Sequence, residues 1–174
     1  MATGMSWQIR PAGAGDIAAL GAVASATFLD AFAGVLPGDA IVAHCAGAYA
    51  PARFSADLAS GGRLWLALAL PGAAPVGFAQ LARPDLPDAR DGDIELKRIY
   101  LLSRFHGTGA GAALMAAAVD GAGGHARLLL GVYEHNARAI AFYRKHGFEP
   151  VGERRFEVGG HWFDDLVLAR PLRH

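Results

Sequence analysis

Between Phe105 and Met115 the chain reads FHGTGAGAALM, with glycine at 107, 109 and 111. Small residues at that spacing, where a strand-forming run gives way to a helix-forming one, expose backbone N–H groups at a helix N-terminus. Those groups and the helix dipole together attract a phosphate or pyrophosphate. A flexible loop leading into a glycine-weakened first turn has the same composition. Side chains able to move protons stand nearby. Glu95 lies in the run IELKRIYLL that leads into the glycines, and Asn136 and Tyr143 lie seven residues apart in NARAIAFYRKHGF. On a helix those two share a face about 10 Å apart. A phenol, with its pKa of about 10, keeps its proton at neutral pH and can give it to a leaving group, while a carboxylate can accept one. By residue type alone, Tyr143 is equally a core aromatic packed with Ile140 and Phe148, Asn136 an N-cap, and Glu95 part of a solvated strand face with Lys97.

Three ligand classes use such a glycine turn. A P-loop ends in GK[ST], whereas Gly111 is followed by Ala112-Ala113, which argues against nucleotide hydrolysis of that type. A dinucleotide fingerprint opens a βαβ unit answered by an acidic residue about twenty positions on. Glu134, after RLLLGVY, supplies that acid, but the glycines sit more than half way along the chain and leave no room for a full dinucleotide fold. The third class is an acyl-CoA pyrophosphate.

The elements that must position these residues follow from hydrophobic period and breakers. Trp7 to Pro11 reads as a strand, and Asp16 as the cap of a helix with an apolar stripe at Ile17, Leu20, Val23, Ala24, Phe28 and Phe32, broken at Pro37-Gly38. Residues 39–59 read as one or two further helices with a boundary at Pro51. RLWLALAL and VGFAQLA form a hairpin about a PGAAP turn, and the polar loop PDLPDARDGD precedes the strand containing Glu95. Helix, strand, helix and a final hairpin about Val158-Gly159-Gly160-His161 complete one domain spanning 1–174. This order predicts an α/β fold: a mixed, largely antiparallel sheet with a parallel portion late, flanked by helices. Strict alternation puts Glu95, Lys97, Ile99 and Leu101 on one face and Leu96, Arg98, Tyr100 and Leu102 on the other; a bulge would shift it.

Composition narrows the classes further. The 174 residues are 53% hydrophobic and 18% charged, which excludes disorder as the main state. A formal net charge of +0 removes the footprint of a dedicated nucleic-acid binder. The single cysteine, Cys45, excludes an intramolecular disulfide, and its neighbour His44 does not normally face it as a catalytic base. The opening MATGMSWQIRPAGAGD has no basic stretch leading into an apolar run, and LWLALAL falls far short of the roughly twenty residues that span a bilayer. A cytoplasmic protein with no membrane or nucleic-acid partner is expected.

ELKRIYLL followed by FHGTGAGAALM resembles the acyl-CoA motif of the GCN5-related N-acetyltransferase (GNAT) family, Q/R-x-x-G-x-G/A. LGVYEHNARAIAFYRKHGFEPVG resembles the motif that follows it there, with Asn136, Ala139, Phe142-Tyr143 and Gly147-Phe148 in register. The likeness runs from about Asp93 to Arg155 and is nearest to bacterial polyamine acetyltransferases related to PaiA. It implies a GNAT fold with a splayed centre, acetyl-CoA as co-substrate, no metal, a small-molecule amine as acceptor, with a polyamine as one candidate, and a homodimer as one candidate assembly. By the same resemblance, the backbone of Ile99, Tyr100 and Leu101 pairs with the pantetheine. His106, Gly107, Thr108, Gly109, Ala110, Gly111 and Ala112 hold the pyrophosphate, Asn136 meets the pantetheine, and Tyr143 protonates the leaving thiolate. His106 departs from the usual Gln or Arg, and either donates to a phosphate or caps the loop. Glu95 is the candidate base, and Phe28, Phe32 and Tyr49 are candidates to line the amine channel. Asp30, Asp93, Glu95 and Asp164 are its candidate carboxylates by residue type. An acyl-CoA sensor with little turnover would share the cofactor motifs.

Overall fold

The computed structural model describes residues 5–172. In chain order the elements are β1 (Trp7–Ala12), α1 (Ile17–Phe32), α2 (Gly38–Ala48), α3 (Pro51–Ala59), β2 (Arg63–Ala69), β3 (Ala74–Ala82), β4 (Asp93–Leu101), α4 (Ala110–Gly121), β5 (Arg127–Tyr133), α5 (Ala137–Lys145), β6 (Glu149–Val158) and β7 (His161–Pro171). The segment read as one or two helices divides into α2 and α3, with Pro51 at the start of α3, where a missing N–H costs nothing. Asp16 does not cap α1 with its side chain. Its carboxylate takes the Gly13 N–H at 2.9 Å and both outer nitrogens of Arg10 at 2.7 and 2.9 Å, closing a short 3-10 turn before the helix. Hydrogen bonding from Arg10 and Gly13 holds this carboxyl down at about 2.

Seven strands form one sheet in the order β1-β2-β3-β4-β5-β7-β6, every neighbour antiparallel except β4 and β5. The expected mixed, largely antiparallel sheet is thus the one found. One face carries α4 and α5 over Trp65, Leu96, Leu114, Met115, Leu130 and Phe148. The other carries α1, α2 and α3 over Leu64, Leu66, Phe78 and Val158. Ala14–Phe32 is long and apolar enough to cross a membrane by length and composition, yet its Leu20, Val23, Ala24 and Phe28 are buried against this sheet.

Two irregularities in β4 shape everything around it. It pairs with β5 only at Asp93↔Arg127, Ile94↔Leu128 and Glu95↔Leu129, after which the two strands diverge. On its other edge β4 stays with β3 as far as Leu101, but the register jumps from Leu81↔Leu96 to Gln80↔Arg98, leaving Lys97 as a bulge. One extra residue flips the alternation beyond it. Ile94 and Leu96 before the bulge, and Ile99 and Leu101 after it, all pack toward α4. Glu95 therefore shares its face with Arg98 and Tyr100, not with Ile99 and Leu101 as strict alternation had it, and it is buried, not solvated.

The tip of the β6–β7 hairpin leans on α2. Gly159 has φ +56°, and a Cβ built there would stand 2.6 Å from the Cβ of Ala40. Gly159→Ala is expected to lose roughly 1–2 kcal/mol from the left-handed backbone alone, and more from the overlap, without touching the glycine loop. Thermal unfolding of the variant measures the loss.

Candidate active site

Past Leu101 a short 3-10 turn, Ser103–Phe105, carries the chain into the glycines. Gly107 and Gly109 have φ of +79° and +91°, the left-handed region that glycine enters at no steric cost. Gly109 precedes α4, whose first intrahelical bond runs from Ala113 N to Gly109 O at 3.0 Å. The N–H groups of Gly111 and Ala112 lie ahead of that bond, and Ala110 N reaches only Thr108 Oγ1, at 3.4 Å. The loop is fixed from three sides. Thr108 Oγ1 donates to Phe105 O at 2.7 Å, Trp7 Nε1 on β1 donates to Thr108 O at 3.2 Å, and Asp30 on α1 accepts from Ser103 N and Oγ at 2.7 and 3.1 Å. The exposed ring of His106 places Nε2 2.9 Å from Leu101 O, the loop-capping arrangement.

Leu102 N donates to Val76 O on β3, so by antiparallel alternation the backbone groups of Leu101 and Ile99 point the other way, into the gap that β5 has left. Tyr143 approaches the gap from α5, 9% exposed, its ring 5.9 Å from that of Phe148. Burial, with Tyr100 adding to it, raises its phenol above the ordinary value, so it stays protonated at neutral pH. Tyr143 packs into the core on one face of the sheet and Tyr100 into the core on the other. Asn136 Oδ1 accepts from Ala139 N at 3.1 Å, which makes it the cap of α5.

The opposite face holds the charged groups. Glu95 is 3% exposed and takes the Asp85 N–H at 2.7 Å. Burial raises its carboxyl despite that hydrogen bond and the nearby charges of Lys97 and Arg154. Beyond β5, on β7, lies Asp165, 6% exposed, with Arg154 Nε 3.3 Å away, and burial raises this carboxyl as well. The Arg154 guanidinium rests over Gly131 of β5, where a Cβ would stand only 2.8 Å from Nη2. Sequence reasoning missed Asp165, Arg154 and Gly131. Asp165 carried one usable signal, its step of two with the apolar Val167 and Ala169, which marks a buried face.

Other candidates fall elsewhere. Asp93 is committed to Arg127, with Nε at 3.0 Å and Nη2 at 2.6 Å, so it is no free carboxylate for an amine. Asp30 is engaged by Ser103, and Asp164 is exposed beside Arg155 at 3.7 Å. Phe28 and Tyr49 are core residues, 3% and 4% exposed, while Phe32 is half-buried with its ring 4.5 Å from that of Phe28. The Cys45 thiol is pushed up by burial, opposite to what a nucleophile needs.

The arrangement is a gap between diverging strands that leads to the glycine loop, with Tyr143 in the core of one face and the buried carboxyls of Glu95 and Asp165 on the other. Gly131→Ala is expected to displace Arg154 and leave the backbone in place, because the clash is with the end of a flexible side chain. Asp165 should then titrate higher still, read by carboxyl carbon NMR against the wild type.

Residues 38–148 match the family described as Acetyltransferase (GNAT) family. Uncharacterized N-acetyltransferases from Mycobacterium tuberculosis and Mycobacterium bovis are 46% identical over 101 residues, which is 56% of this chain and 60% of theirs. The chain thus spans less than two thirds of the curated relatives it matches. Among solved structures, the PaiA N-acetyltransferase from Thermoplasma acidophilum in complex with coenzyme A superposes with a TM-score of 0.77 at 20% identity, covering 96% of this chain and 99% of that one. A putative acetyltransferase from Salmonella typhimurium with its cofactor acetyl-CoA gives 0.69 at 17% identity, covering 97% and 95%. The antiparallel pairings that dominate the sheet, β3 with β4 among them, leave no doubly wound dinucleotide sheet, and with most of the chain matched, the protein belongs to the GNAT acetyltransferase family.

Proposed function

We propose that the protein transfers an acetyl group from acetyl-CoA to a primary amine of a small molecule by direct attack within the β4–β5 cleft. The observation that carries this reading is the divergence of β4 and β5 beside the glycine cradle, with Tyr143 in the core on one face of the sheet and Glu95 buried on the other. The thioester of acetyl-CoA supplies the activated acyl group. The N–H groups of Gly111 and Ala112, with the turn at Gly107 and Gly109, receive its pyrophosphate. The free edge of Ile99 and Leu101 pairs with the pantetheine amides, and His106 and Asn136 shape the two ends of that path while holding their loop and helix.

An alkyl amine with a pKa of about 10.4 is neutral in about one molecule per thousand at pH 7.4, a deficit of roughly 4 kcal/mol. Glu95 meets part of it by taking the ammonium proton, directly or through a water, and its raised pKa brings it closer to that task than an ordinary carboxylate. The amine nitrogen then bonds to the carbonyl carbon, the C–S bond breaks, and Tyr143 gives its proton to the departing sulfur. The motif resemblance to PaiA-related enzymes favours a second reading of the acceptor, a polyamine.

Thiol release from acetyl-CoA across a panel of monoamines, amino acids, aminoglycosides, N-terminal peptides and spermidine tests the proposal. Release with at least one amine is expected; a melting shift with acetyl-CoA but no release with any amine would mark a sensor instead. Tyr143→Phe should lower kcat at least tenfold with little change in acetyl-CoA affinity, and unchanged turnover would remove Tyr143 from the mechanism. Gly109→Val, forced into a left-handed backbone with a side chain directed at Trp7, should abolish the acetyl-CoA melting shift.

A further inference from the structure

Among the described residues, four arginines hydrogen-bond to other side chains, and those bonds set them in two groups. Arg10 and Arg127 each place two nitrogens on one carboxylate, Asp16 and Asp93, at 2.6 to 3.0 Å. Such a fork uses the guanidinium as a structural clamp. The two on the cleft face are bonded more sparsely. Arg98 gives Nη1 to the amide oxygen of Gln80 at 2.8 Å, and its nearest carboxylate, Asp57, lies 4.0 Å away and is itself held by Gln80 Nε2 at 2.6 Å. Arg154 gives only Nε to Asp165, at 3.3 Å. Their side chains are 16% and 22% exposed, and among the described residues no fully enclosed side-chain nitrogen lacks a partner. The remaining N–H groups of both therefore open onto accessible space.

Aromatic rings fix the two guanidiniums in place. Arg98 lies 5.1 Å above the Tyr49 ring, and Arg154 lies 5.1 Å above the Phe156 ring. Arg98 stands on β4 three residues beyond Glu95, and the Arg154 guanidinium lies over Gly131 on β5, two residues beyond Leu129, so the two flank the diverging strands on one face. The carboxyls of that face are already engaged: Glu95 by Asp85 N–H, Asp165 by Arg154 and Asp57 by Gln80. A second ammonium on the acceptor would meet two fixed cations, with the Tyr49 and Phe156 ring faces beside them already covered. An oxyanion would meet unused, preorganised N–H donors.

We propose that the acceptor carries an oxyanion, in the simplest case a carboxylate, beside its amine, and that Arg98 and Arg154 hold that oxyanion while the amine faces Glu95. This rests on the acetyl-transfer reading above and specifies its substrate class as an amino acid or similar zwitterion, against the polyamine.

The test compares 4-aminobutyrate and glycine with their uncharged amides and with spermidine, by kcat/KM for thiol release. Each carboxylate should exceed its own amide and spermidine at least tenfold. In Arg98→Gln that preference should fall toward one, mainly through KM, with acetyl-CoA affinity retained. Arg98→Lys, which keeps the charge but loses the fork, should restore part of it and serves if the Gln variant unfolds. Spermidine or the amides matching the carboxylates in the wild-type enzyme would overturn the proposal, as would a preference unmoved in Arg98→Gln and Arg154→Gln alike. Absence of release with every acceptor, despite acetyl-CoA binding, would instead overturn the transferase reading and this proposal with it.

Discussion

The pairing of Asp93 with Arg127 closes the narrow end of the cleft, and the rest of the site depends on it. The two residues face each other at the first register position of the β4–β5 ladder, the Asp93 side chain is 1% exposed, and the guanidinium also reaches Asp88 O at 3.2 Å. Burial alone would raise this carboxyl, but Arg127 and the Arg90 N–H outweigh it and hold it low, so the pair stays ionised. Removing one partner of such a pair leaves an uncompensated buried charge, typically at a cost of about 3–5 kcal/mol. With only three register positions joining the strands, a clamp at one end lets them separate at the other without opening the sheet through its middle.

From that hinge the two faces take different chemistry. The bulge at Lys97 sends Ile99 and Leu101 into the core under α4, and turns Glu95, Arg98 and Tyr100 to the helical lobe. Leu101, which leads into the glycine loop, and the phenol of Tyr143 therefore belong to one layer, and Glu95, Asp165, Arg98 and Arg154 belong to the other. In the proposed reaction this division lets cofactor and acceptor enter a single gap from opposite sides. Glycine serves the same division: a side chain at 109 would crowd the cradle against Trp7, and one at 131 would lift Arg154 from β5.

Much of this was legible in the chain itself, and what was not has a common cause. Strand and helix order, the glycine turn, the break at Pro51 and the hairpin at Gly159-Gly160 all rest on local period and turn chemistry, which neighbouring residues determine. Facing on β4 failed because a bulge is decided by the partner strand, not by the bulged residues. Asp16 looked like a helix cap until Arg10, on the adjoining strand, claimed its carboxylate. Asp93, Glu95 and Asp165 are alike by type and differ only in who stands opposite: a bidentate arginine, a backbone N–H, or a single nitrogen of Arg154. Long-range register separates these three, and one sequence does not contain it.

The indole of Trp7 reaches Thr108 across 101 positions of chain. That bond closes a loop of great span, whose entropy cost the intervening sheet must offset. β1 is also an outer strand, bonded on one side only. The seating of the glycine loop and the docking of a strand several places away in the sheet thus share one hydrogen bond, and by linkage a ligand that bound only the seated loop would also favour a docked edge that it never touches.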